Sequence, residues 1–164
     1  PQGVSRIARP FGLHDSAIPS GVSVMCQNLL RLAALFPSHR ERYQAIAEST
    51  LLRLGEKAQR SPMGMAGLLQ ALDLLQHGLV VTVVVEPPGT ATDHPLRRAA
   101  ATTYVPDHFV WVVKEDEAVP EALQALCEGK TSREGKPAAY VCRGPRCTAP
   151  ISDPQELRGQ LGGP

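Results

Sequence analysis

The hydrophobic pattern divides the chain into two parts of different period. From Ser20 to His77 apolar residues recur at helical spacing, whereas from Leu79 onward short β-branched runs alternate with helix signals. The division falls at Leu79 to Glu86, a Leu-Val-Val-Thr-Val-Val-Val-Glu run bounded by Gly78 and by Pro87-Pro88-Gly89. A continuous β-branched run of that length reads as a strand buried on both faces, of the sort found in parallel sheets. The pattern thus predicts a helical unit over residues 1–77 and a small α/β unit over residues 78–164.

Within the first unit, residues 1–19 hold no sustained period and read as a loop. Ser20 offers an N-cap to a helix that runs to Phe36 and ends at Pro37. Only Gln27, Asn28 and Arg31 are strongly polar in that helix, so it requires cover on several sides, and Asn28 requires a hydrogen-bond partner. Ser38 and Glu41 stand at capping-box spacing ahead of a second helix, whose stripe is Tyr43, Ile46, Ala47, Thr50, Leu51, Leu54 and Ala58. Ser61, Pro62 and Gly78 bracket a third, with Met65, Leu68, Leu69, Leu72 and Leu75 as its stripe. Gly64, Ala66, Gly67 and Ala71 leave room there for a close neighbour. A buried helix followed by an amphipathic one is the unit of stacked helical hairpins. Three helices leave the first uncovered, and the expectation is that more of the protein or another chain covers it.

The second unit continues with a helix around Pro95 to Thr103, a strand at His108 to Val113, and a helix from Pro120 to Cys127. A third strand follows at Ala138 to Cys142. The last helix is opened by Asp153 as N-cap, Pro154 in the first turn and Glu156 at the third position. This β-α-β-α-β-α order predicts a three-stranded parallel sheet with right-handed crossovers.

Composition narrows the function classes. The apolar share of 43% supports a core, but aromatics at 4% mean that Leu, Val and Ala must build it. Net charge is +1 with both signs well mixed, which gives no electrostatic footprint for nucleic acid or an anionic membrane. No apolar run approaches the ~20 residues of a membrane span, and no secretory signal pattern is present. Four unevenly spaced cysteines do not form a secreted disulfide scaffold in 164 residues, so an intracellular, reducing setting is expected. The cytoplasm is the first compartment considered and the mitochondrion the second. A chain that opens at Pro1 rather than Met is expected to be processed or part of something longer.

Few residues offer chemistry. Cys142 and Cys147 enclose Arg143-Gly144-Pro145-Arg146, which must turn. Three readings stay open for them: a redox pair with thiolates favoured by the arginines, half of a metal site completed by Cys127 and a histidine, or two small residues packed in a turn and able to form a disulfide. Cys26 sits mid-helix on a buried face and reads as core. The Glu86-Pro87-Pro88-Gly89-Thr90 loop matches no phosphate-binding pattern, and its prolines remove amide donors. His39, His77, His94 and His108 fall at element ends and form no cluster. No cofactor or metal site follows from these residues.

Several stretches, taken in order, carry a resemblance. They are Asp15-Ser16-Ala17-Ile18-Pro19-Ser20-Gly21, then Asn28-Leu29-Leu30-Arg31-Leu32, then Ala139-Tyr140-Val141-Cys142 with Cys147-Thr148-Ala149-Pro150-Ile151-Ser152-Asp153-Pro154. Together they resemble the C-terminal end of the spermatogenesis-associated thioredoxin-domain family. The resemblance implies the last helical hairpins of an α/α toroid, similar to that of N-acylglucosamine 2-epimerases, followed by a small α/β tail. It implies partners in the remainder of the toroid or another chain, and a carbohydrate as the small molecule to consider. In that setting His14 and Asp15 form a candidate acid/base pair at the toroid mouth, with Ser20 beside them, while Asp15, Pro19 and Ser20 equally serve to shape and cap the turn. Ser16 and Val22 stand where the family's loop usually has Gly and Asn. The implied function is a structural or docking portion of a larger protein. A sugar-isomerase-type site and thiol redox at Cys142 and Cys147 are the alternatives.

Overall fold

A computed structural model describes residues 12–162; the predicted opening loop before Gly12 lies outside them. Three helices come first: α1 (Gly21–Leu35), α2 (Arg40–Arg60) and α3 (Ala66–His77). Then follow β1 (Val80–Glu86), α4 (Pro95–Thr102), β2 (His108–Lys114), the single turn α5 (Gln124–Cys127), β3 (Ala138–Arg143), β4 (Arg146–Cys147) and α6 (Pro154–Gly162). None of the described helices is long and apolar enough to cross a membrane.

Ser20 caps α1 as the sequence indicates, its Oγ accepting from the backbone N–H of Ser23 at 3.2 Å. Asp153 likewise caps α6, accepting from the amides of Gln155 and Glu156 at 3.1 and 3.4 Å. The starts of α2 and α3 differ from expectation. Pro37–His39 forms a 3₁₀ turn ahead of α2, and no side chain caps that helix. Pro37 holds φ in the helical range, so the chain is already turning where Ser38 would need an extended cap conformation. Ser61 instead ends α2, donating its N–H to Lys57 O at 3.0 Å, and a second 3₁₀ turn at Met63–Met65 leads into α3.

Seven consecutive β1 residues are buried, consistent with a strand covered on both faces. Its sheet, however, is neither three-stranded nor all parallel. The order is β2-β1-β3-β4, with β2 parallel to β1, β3 antiparallel to β1 and β4 antiparallel to β3. The difference shows in the segment between β2 and β3. A parallel β3 requires a crossover that carries the chain back along the sheet, roughly 20 Å for strands of this length. The segment provides only a 3₁₀ turn at Glu121–Leu123 and the one turn of α5, roughly 12 Å of helix. No helix long enough to pack along a sheet face as a crossover stands there; the chain stays at the end where β1 finishes, and β3 begins there, Ala138 pairing with Val85.

One face of the sheet (Val81, Val83, Val85, Val113, Tyr140, Cys142) joins the helical residues Cys26, Leu30, Leu51, Met65, Leu68 and Leu74 in one apolar cluster. The other face packs under α4 and α6 through Val84, Leu96, Ala99, Val141 and Leu157. The α3 stripe is displaced from expectation: Gly67, Leu68, Ala71 and Leu74 are buried, while Leu69 and Leu72 face outward. Small residues bring α3 close to α1, and a Cβ on Gly67 would sit 2.9 Å from Ser23 Cβ. In α1 only the stripe Ser23, Cys26, Leu30 and Ala33 is buried, and Val24, Met25 and Leu32 are exposed.

Candidate functional site

The loop before α1 is held by Asp15. Its Oδ1 accepts from the backbone N–H of Ser20 at 2.7 Å and from Ser23 Oγ at 3.4 Å. Its Oδ2 accepts from the backbone N–H of Gly67, at the start of α3, at 2.6 Å. The Asp15 amide in turn donates to Gly64 O at 2.7 Å. One carboxylate thus clasps its own loop and the starts of α1 and α3 together. The amides of Ser20 and then Gly67 hold the Asp15 carboxyl below the usual aspartate value, against a smaller opposing push from burial, with the Ser23 hydroxyl adding to the lowering. His14 is exposed and lies beside Gly64, and no hydrogen bond joins it to Asp15 among the described residues. Ser20 is buried, its hydroxyl 2.8 Å from that of Ser23. Asn28, expected to need a partner, is exposed and solvated.

Two polar residues on α1 tie the helices to the rest of the chain. Gln27 donates to Gly67 O at 2.8 Å, and Arg31 pairs with Asp107 at 2.6 Å. Asp107 sits at φ 48°, and its carbonyl accepts from Val80 N at the head of β1 at 3.0 Å. With Gln70, Asp73 and Tyr104 these groups line a cleft of about 490 Å³. The sequence signal for Gln27 and Arg31 was their isolation in an otherwise apolar helix, one turn apart. Their partners lie 40 and 76 residues away and leave no local trace.

The carboxyl end of β1 carries a buried charge. Glu86 is wholly buried, and both of its oxygens accept from Arg97 of α4, at 3.0 and 2.5 Å. At the opposite end, His108 Nε2 lies 2.8 Å from Thr82 Oγ1. Burial, and then the nearby Arg143 charge, lower the His108 pKa.

Cys142 and Cys147 face each other across the β3–β4 hairpin and are joined as a disulfide. Gly144 at φ 59° followed by Pro145 makes the two-residue turn, the glycine-first arrangement suited to a right-twisted hairpin. Cys26 is buried in the core, and burial pushes its thiol up, against a smaller opposing pull from the nearby Thr50 hydroxyl. Cys127 is half-buried, and burial raises its thiol against the opposing pull of Lys130. Among the described residues no three His, Cys, Asp or Glu side chains gather to hold a metal, so Cys127 and a histidine do not join the cysteine pair.

Fold and site together define a module of three helices joined to a mixed four-stranded sheet, with a carboxylate clasp at the helical entrance and a disulfide hairpin at the sheet edge. The chain is 28% identical over 148 residues to spermatogenesis-associated protein 20 of Homo sapiens, which covers 90% of this chain and 19% of that protein. The Rattus norvegicus protein of the same name is 27% identical over 148 residues, 90% of this chain and 18% of its own length. An uncharacterised Caenorhabditis elegans protein is 27% identical over 146 residues, 87% of this chain and 19% of its own length. These matches support placing the chain in the spermatogenesis-associated family, and it spans about a fifth of the length of these relatives. No family model matches the sequence, and no solved structure matches it.

Proposed function

We propose that this chain is the C-terminal structural and docking portion of a larger protein, with the helical face around α1 received by the part of that protein that precedes it. The observation that carries the reading is the apolar surface left on the first two helices. Met25 of α1 and Ile46 of α2 are exposed, by 59% and 44%. Val22, Met25, Leu29 and Ile46 line an open groove of about 500 Å³ whose far wall includes Gly12. An apolar groove of this kind, shared by the two helices, marks an interaction site in a protein that is otherwise well packed. The short coverage of the relatives supports the same reading, since about four-fifths of their length lies outside the match. In this proposal α1 and α3 line the inside of an α/α toroid, α2 lies outside, and the sheet module closes the last hairpin. An acid/base role for Asp15 in sugar chemistry is the weaker reading, because both of its oxygens already accept from backbone amides.

The test is native mass and dye binding. The 164-residue chain by itself is expected to bind a hydrophobic dye or to self-associate. A separately expressed preceding region is expected to join it and abolish dye binding. A clean monomer that binds no dye and fully protects the α1 amides from exchange sinks the proposal.

A further inference from the structure

We propose that the Cys142–Cys147 disulfide is a thiol-exchange site for a dithiol-bearing peptide or protein, with Cys147 as the sulfur that is attacked. Three independent features point there. The first is that the bond is dispensable to the sheet. It closes a ring across a sequence separation of only five, where a cross-link constrains the unfolded chain least. The hairpin below it is held separately: Thr148 N donates to Val141 O at 2.9 Å, Val141 N donates to Thr148 Oγ1 at 3.1 Å, and Ala139 and Ile151 exchange backbone bonds at 2.8 and 2.9 Å. Opening the bond therefore leaves β3 in place.

The second feature is unequal access. Cys142 belongs to the core and is 8% exposed, whereas Cys147 is exposed on β4, the last strand of the sheet order. Only one of the two sulfurs is open to an incoming thiolate, and access governs exchange. The third is the setting. Both cysteines line a cleft of about 240 Å³ floored by Leu79, Val81 and Leu126, with Arg40 and Lys130 also in its lining. The apolar floor accepts a peptide segment beside the sulfur, while the cations favour both an attacking and a departing thiolate.

The chemistry balances as follows. A partner thiolate attacks Cys147 Sγ, forming a mixed disulfide and breaking the Cys142–Cys147 bond. Cys142 leaves as a thiolate. The partner's second thiolate then attacks the partner sulfur of the mixed disulfide and releases Cys147. Two electrons pass to the hairpin, the partner dithiol becomes a disulfide, and the two partner protons end on Cys142 and Cys147.

The experiment treats the oxidised chain with dithiothreitol at neutral pH, alkylates the released thiols and maps them by mass, which separates Cys26 and Cys127 from the pair. The expected result is paired release of Cys142 and Cys147 while far-ultraviolet dichroism stays native. Glutathione disulfide is expected to modify Cys147 in Cys142→Ser at least about tenfold faster than Cys142 in Cys147→Ser, as exposure and thiolate character direct. Replacing Arg40 and Lys130, the cations that line the cleft, together by Gln slows the modification of Cys147. A pair that stays joined until denaturant unfolds the chain overturns the proposal, and so do equal rates in the two serine variants. Should either variant fail to fold, acid-quenched trapping of the mixed disulfide in the parent chain decides: glutathione on Cys147 supports the assignment, and glutathione on Cys142 refutes it. None of these results depends on whether the α1 face docks, so the two proposals stand or fall separately.

Discussion

The Asp15 clasp makes the sharpest quantitative prediction. Asp15→Asn keeps the size and shape of the side chain but leaves one acceptor oxygen where the carboxylate has two. Whichever way the amide turns, either the Ser20 or the Gly67 backbone N–H, now 2.7 and 2.6 Å from an oxygen, faces an NH₂ group. Losing one hydrogen bond to a charged acceptor costs roughly 1.5–3 kcal/mol, which lowers the melting temperature by roughly 3–12 °C in a chain of this size. The pH dependence carries a sign. The folded carboxyl titrates below its ordinary value, so its contribution is complete above the unfolded value, about 4, and is lost as pH falls through the lower folded one. Asparagine does not titrate, and the gap between parent and variant must narrow as the solution is acidified from pH about 5. Urea unfolding followed by fluorescence of Trp111, the single tryptophan, measures both. A gap below about 0.5 kcal/mol at neutral pH would refute the clasp. A gap that keeps its full size into the acid range would show that the charge plays no part.

Two further outcomes test the sheet. Arg97→Gln leaves the wholly buried Glu86 without its cation, whereas Glu86→Gln leaves an arginine that keeps 26% of its side chain in water. Chemical denaturation should find the arginine variant the less stable of the two, with a loss of roughly 3–5 kcal/mol from breaking a buried pair; the reverse order refutes the reading. His108 has a folded pKa below its unfolded value of 6.5, so the unfolded chain binds the proton first and stability falls as pH drops below that value. His108→Gln should flatten the stability profile between pH about 6.5 and 5, and an unchanged slope assigns the titration to another group.

Much of the chain was legible locally. The helical and β-branched periods located every strand of the predicted three to within a residue or so, and Ser20 and Asp153 were readable as caps. The helix starts misread at Ser38 and Ser61 are places where a proline directs the next turn, Pro37 into a 3₁₀ turn and Pro62 into a helical conformation. Part of the candidate site was legible too: the Asp15 to Gly21 loop and the Cys142 and Cys147 pair were both singled out. The partner of Asp15 was not, since Gly67 is 52 residues away, and neither was that of Arg31, since Asp107 is 76 residues away.

Local pattern suffices to say where the chain turns helical or extended, which run is buried on both faces, and which loop and which cysteines stand apart from the core pattern. Those properties depend on neighbours one turn or two residues away. It takes the folded chain to show that β3 runs antiparallel, that β4 exists, that α1 buries one stripe and exposes the rest, and that the Asp15 carboxylate is occupied by two amides. The physical reason is common to all four. A strand has the same period-two pattern in either direction, and an acceptor carries no local mark of its donor. Direction, register and pairing are settled by which groups the folded chain brings within hydrogen-bonding reach.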